Sequence, residues 1–235
     1  MTAGAARPRA PLALPAWQSA SGGCAGAPRR WSIGVWACLV FPAILALGGC
    51  AFLEKPLRPV VYDFGPGVQA AATAAAAQLP LLTLLEVEAS GALDNTAVLY
   101  RLVYANAQQL LPYAQARWSM PPAQLLRQRL RESLAQRRSV LNPGDGNLAG
   151  AGMALRVELE EFSQLFEAAD RSVGLLRLRA TLVQNGVGGE RLLGQRLVVV
   201  RRAAPTADAA GGVRALTDAA AAAAEEVESW LMQFR

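Results

Sequence analysis

The apolar run Ile33 to Leu47 follows Arg29-Arg30 and closes on Leu47-Gly48-Gly49-Cys50, dividing this chain into two unequal parts. A positive stretch, a short apolar core and small residues at the cut are the physical requirements of a secretory signal. Gly48 and Gly49 offer a peptidase almost no side chain to exclude, and the cysteine that follows is a candidate for acylation. The pattern predicts cleavage between Gly49 and Cys50. Cys50 is then the lipid-attachment residue, and Leu47, Gly48 and Gly49 form the signal-peptidase motif. Two competing readings stay open. A membrane-spanning helix needs about 17–25 apolar residues; Trp31 to Leu47 just reaches that, but Ser32, Gly34 and Pro42 weaken it. An ordinary signal peptide would leave Cys50 incidental. Met1 to Pro28 makes an unusually long n-region, and Arg29-Arg30-Trp31 shares only its arginine pair with a twin-arginine signal.

The division sets what is left to fold. Removing 49 of 235 residues leaves 186, enough for one domain with a sizeable core. The expected organisation is a signal peptide over 1–49, a lipidated tether over 50–59 and a single domain over 60–235. The formal charge of +5 belongs mostly to the leader, which holds Arg7, Arg9, Arg29 and Arg30 and no acidic residue. The remainder carries 19 Lys+Arg against 18 Asp+Glu, so no basic footprint for nucleic acid survives. Cys24 and Cys38 also leave with the leader, and a domain of this size does not need disulfides.

Histidine is absent. That removes Ser-His-Asp and Cys-His arrangements and the commonest ligand of catalytic zinc. Asp145 and Asn147 resemble a fragment of a calcium loop, but its terminal glutamate is missing. Glu160 and Glu161 are adjacent, so on a regular strand they point to opposite faces. Glu225, Glu226 and Glu228 fall on a helical pattern and read as a solvated face. The residues thus predict no catalytic group, no cofactor and no metal site.

Periodicity orders the rest. Strands are expected at Val60–Phe64, Leu79–Glu88, Ala97–Ala105, Met153–Leu159 with an apolar extension to Phe166, Ser172–Gln184 and Leu192–Arg201. The last two read as an antiparallel hairpin through Asn185-Gly186. Val68 to Gln78 is almost all alanine, either a short helix or a low-complexity insert, and Leu110 to Met120 reads as irregular. Pro121-Pro122 opens a helix carrying Leu125, Leu126, Leu130 and Leu134, with Ser119 as its candidate cap. Its arginines, Arg127 and Arg131 among them, read as a solvated face or a contact for anionic headgroups. Val213 to Phe234 reads as a closing helix with an alanine-rich stripe ending on Trp230 and Phe234. The expected class is α+β: about six mostly antiparallel strands and two main helices, in the order β-β-β-α-β-β-β-α.

With these residues in place, the chain resembles the ABC-type transport auxiliary lipoproteins, the PqiC-like family. The likeness rests on the lipobox at Cys50, Tyr62-Asp63-Phe64, LDNTAVLYR at Leu93 to Arg101, and Tyr113-Ala114. It continues with Arg117-Trp118-Ser119-Met120-Pro121-Pro122, LRVELEEFSQLF at Leu155 to Phe166, and Glu228-Ser229-Trp230-Leu231. Val68 to Gln78 departs from the pattern. The resemblance implies a non-catalytic part of a lipid transport system, partnered by an ABC permease, its ATPase and a mammalian-cell-entry (MCE) domain protein that bridges the periplasm. Ala51 after the cysteine looks like sorting to the outer membrane. Tyr113, Arg117 and Trp118 form a candidate partner surface, because such residues are enriched at binding hot spots; the alternative is that Trp118 packs the helix start on the sheet. Self-association into a homo-oligomer is left open by the residues. So is a second role, a structural or assembly lipoprotein of the envelope that works without an ABC transporter.

Overall fold

The computed structural model describes residues 58–67, 79–145, 152–186 and 188–234. The lipobox, the tether before Arg58, the alanine-rich stretch 68–78 and the second half of the loop after Asn142 lie outside them. Eight strands form one mixed sheet: β1 (Val60–Tyr62), β2 (Leu82–Ala89), β3 (Ala97–Leu102), β4 (Leu111–Trp118), β5 (Val140–Leu141), β6 (Met153–Ala168), β7 (Arg171–Gly186) and β8 (Gly189–Ala203). Among the described residues there are three helices, α1 (Val103–Asn106), α2 (Pro122–Ala135) and α3 (Ala209–Leu231).

The framework is the antiparallel meander β6-β7-β8, whose strands run 15 or 16 residues each. Alternation explains it. On β7, Gly174, Leu176, Leu178, Ala180 and Leu182 are buried, while Arg177 between them is exposed. β7 occupies one edge of β6 over its whole length. The other edge is shared: β2 pairs with residues 153–159 and β3 with residues 164–166, both in parallel. β4 then pairs antiparallel with β3, and β1 lies parallel to β4 at the sheet's far edge.

The α+β class holds, but six mostly antiparallel strands does not. Two strands escape the expected pattern. β4 falls in the stretch read as irregular, because Pro112, Gln115 and Arg117 interrupt its alternation and its pairing is wholly tertiary. β5 is only two residues long and is defined by its parallel partner β2. The third expected strand stops at Leu102, where the chain turns through α1 to return as β4.

Both main helices cover one face of the sheet. The stripe of α2 is buried as its spacing demands, with Leu126, Leu130 and Leu134 fully inaccessible. Ser119 does not cap it: Pro121 stands at the N-cap without a side-chain bond, and Pro122 follows in the first turn. α3 does have a cap. Asp208 accepts from the Gly211 N–H at 2.7 Å and from the Thr206 hydroxyl at 2.8 Å. The backbone bond from Gly211 and the bond from Thr206 hold the Asp208 carboxyl below its ordinary range.

Alanine in α3 serves close approach. Ala215, Ala219, Ala220 and Ala223 are fully buried against the sheet. Beneath the helix, β7 carries Gly174, where a Cβ would lie 2.8 Å from the Ala215 carbonyl carbon and the Leu216 nitrogen. Any side chain there meets helix backbone, so glycine is required for this spacing. No helix of the described residues is long and apolar enough to cross a membrane.

Candidate functional site

Trp118 ends β4 and turns inward, with 2% of its surface exposed. Its ring meets Phe64 edge-on at 5.6 Å and Phe162 of β6 at 5.6 Å, and those two rings lie 5.9 Å apart. Backbone bonds complete the joint: Trp118 N–H donates to Thr96, and Ser119 N–H donates to Tyr62, each at 2.7 Å. Trp118 therefore fastens the end of β1, β4 and β6 just before the chain enters α2.

Tyr113 serves a different junction. Its hydroxyl donates to Gln164 Oε1 at 2.8 Å, and Gln164 Nε2 donates to Ser172 Oγ at 2.7 Å. Gln164 and Ser172 are buried, so each needs such a partner. The network sits under the start of α3, where a Cβ on Gly212 would fall 2.0 Å from Gln164 Oε1. Tyr100 stacks on Tyr113 at 4.5 Å. Burial pushes the Tyr113 phenol well above its ordinary value, and neighbouring Tyr100 and Asp208 add to the effect. Arg117 folds back on its own strand and donates to the carbonyls of Tyr113 and Ala116. The structure thus brings the three residues to one strand but not to one surface patch: Trp118 lies in the core, Tyr113 spends its hydroxyl internally and Arg117 grips backbone.

The face without helices carries a ladder of charged side chains. A register slip between Leu159 and Glu161 inserts one extra residue into β6. Glu160 and Glu161 consequently share this face instead of pointing apart. Glu160 accepts from Arg177 at 2.9 Å and from Arg179 at 2.8 Å, and Glu161 accepts from Arg101 at 3.1 Å. Arg156–Glu190 and Arg201–Glu167 continue the ladder at 2.8 and 2.6 Å. Half-exposed pairs of this kind contribute about 0–1 kcal/mol each. Each of these four carboxylates has a cationic partner, and no described group of three Asp, Glu, Cys or His could hold a metal. The arrangement suits a self-neutralised surface.

The arginines of α2 are also engaged internally, and the expected solvated face is not what forms. Arg127 pairs with Glu86 at 3.2 Å, Arg129 donates to the Phe64 carbonyl at 2.6 Å, and Arg131 donates to Asn142 Oδ1. Asn142 in turn donates its N–H and amide to Asp145, whose carboxyl these bonds hold low. Asp145 thus closes a turn. Where α2 meets α3, Glu228 takes Arg137 at 2.7 Å and faces Arg138, a buried guanidinium whose affinity for its proton burial lowers.

The described surface carries several clefts, two of them along β8. One, of about 600 Å³, is lined by Pro80, Leu81, Met153, Arg191, Leu193 and Phe234 among others. The other, of about 400 Å³, runs between β8 and α3. Sequence reading missed this second feature, because Leu197 and Val199 alternate as any strand does and nothing local marks β8 as an edge.

Fold and surface together define a two-layer α+β domain whose distinctive features are aromatic packing joints and a ladder of paired charges. The chain belongs to the family of ABC-type transport auxiliary lipoprotein components, whose sequence profile matches residues 62–228. That span runs from the end of β1 to the last turn of α3, so it takes in nearly all of the sheet and both long helices. A solved Xanthomonas campestris protein assigned to the family DUF330 is similar in structure, with a TM-score of 0.61, 18% identity, and 74% of this chain and 95% of that one covered. A second, an uncharacterized protein, gives a TM-score of 0.55 at 15% identity, covering 74% and 99%. At these identities the likeness is one of fold. No curated protein matches the chain significantly.

Proposed function

We propose that this chain is a periplasm-facing lipoprotein, anchored in the outer membrane through acylated Cys50, that serves as a non-catalytic docking component of an ABC transport system moving lipid between the two membranes. The family match across the folded domain carries the reading. The lipobox supplies the anchor, and the Arg-saturated carboxylates and missing histidine favour docking over chemistry. In this reading, the partner that bridges the periplasm is an MCE-domain protein, and hydrolysis of ATP belongs to the transporter's own ATPase.

Genetic order tests the reading against an independent structural role in the envelope. Deleting this chain and deleting the MCE partner are expected to give the same envelope defect, with the double deletion no worse than either. A defect that appears on deleting this chain in cells already lacking the partner overturns the proposal.

A further inference from the structure

β8 is the sheet's long free edge. It runs 15 residues and, among the described residues, is paired on one side only, by β7. It contains no proline. The backbone groups along its outer side are a template for an added strand. The opposite edge is β1, only three residues long.

The side chains along β8 narrow what can pair there. On the helix side, Val198 and Val200 are buried; on the open side, Leu197 and Val199 are 48% and 51% exposed. The strand carries Arg191, Arg196, Arg201 and Arg202 against a single Glu190. Arg196 is paired with Glu226 and Arg201 with Glu167. Arg191 and Arg202 have no carboxylate partner among the described residues, and both are exposed. The groove beside the edge is lined by Val199, Arg201, Arg202, Glu225, Glu226 and Ser229. A second copy of β8 would bring four arginines and a single glutamate, and so offers Arg191 and Arg202 no surplus of carboxylates. A segment bearing carboxylates meets the opposite charge.

We propose that β8 is the docking edge of this protein, and that its occupant is an extended, acidic segment of a partner protein. The segment adds a strand to β8, lays apolar side chains on Leu197 and Val199, and places carboxylates at Arg191 and Arg202. This assignment rests on the docking reading above.

The test uses the full-length chain in native membranes, with a photo-crosslinking residue replacing Leu197 or Val199 and a control at exposed Ala114 of β4. Crosslinked peptides are identified by mass spectrometry. The expected product at β8, and not at Ala114, is an acid-bearing segment of one partner protein. Arg191→Glu with Arg202→Glu should lower its yield about tenfold, since reversing charge at an interface rim slows encounter and weakens pairing. Crosslinks to a second copy of this chain, no protein crosslink at β8, or a yield unmoved by charge reversal overturn the edge assignment. If transport components co-isolate yet never crosslink to β8, the edge fails and the docking reading stands. If β8 captures an acidic segment of a protein outside any transport system, the edge stands and the transport reading fails.

Discussion

Trp118→Ala is expected to cost about 3–5 kcal/mol of stability, the range for removing a buried aromatic side chain. The position explains the size. The indole is 2% exposed and touches Phe64 and Phe162 at once, so its loss opens a cavity walled by three elements rather than one that a single side chain can fill. Its neighbours are also held in place by backbone bonds, Trp118 to Thr96 and Ser119 to Tyr62, which limits collapse into the space. For a domain of this size each kcal/mol lowers the melting temperature by roughly 2–4 °C, so a fall of about 10 °C is expected. Urea unfolding of the domain checks the free energy. A loss below about 1 kcal/mol would mean that Trp118 is not the joint described here. Trp118→Phe should retain most of the stability, because a second ring still fills the site.

The second large effect concerns attachment. Cys50→Ala is expected to abolish labelling of the chain by fatty acid and to leave its precursor uncleaved by lipoprotein signal peptidase. Acyl chains hold a protein at a membrane through about 0.8 kcal/mol per buried CH₂, and two or more chains are needed for stable anchoring. Among the described residues no helix is long and apolar enough to cross a membrane. Labelling that persists in the Cys50→Ala chain would overturn the lipid-anchor reading outright.

Much of this architecture was legible where the relevant contacts are local. The stripe Leu126, Leu130 and Leu134 marks one helix and Ala219, Ala220, Ala223 and Val227 the other, since period alone decides which side is buried. The β7-β8 hairpin is likewise written in alternation and a turn at its tip. What escaped reading depends on partners distant in the chain. β4 owes its existence to β3 and β1, and the parallel seams of β2 and β3 on β6 leave no trace in spacing. The extra residue at Glu160 has no sequence signature, yet it decides that Glu160 and Glu161 share a face.

The same limit governed the candidate surface. Trp118, Tyr113 and Arg117 lie within six positions, and residue type alone makes them look like a contact patch. Their destinations are set by Phe162, Gln164 and the carbonyl of Tyr113, which no local pattern reveals. Residue type identified three side chains with strong interactions to make; topology directed those interactions inward.

The most direct test of the central claim is to isolate the full-length, acylated protein from native membranes under mild detergent and identify what accompanies it. The account predicts that an MCE-domain protein co-isolates with it, together with the ABC permease and ATPase of the same system. Recovery of the acylated protein in good yield with none of these components would contradict it.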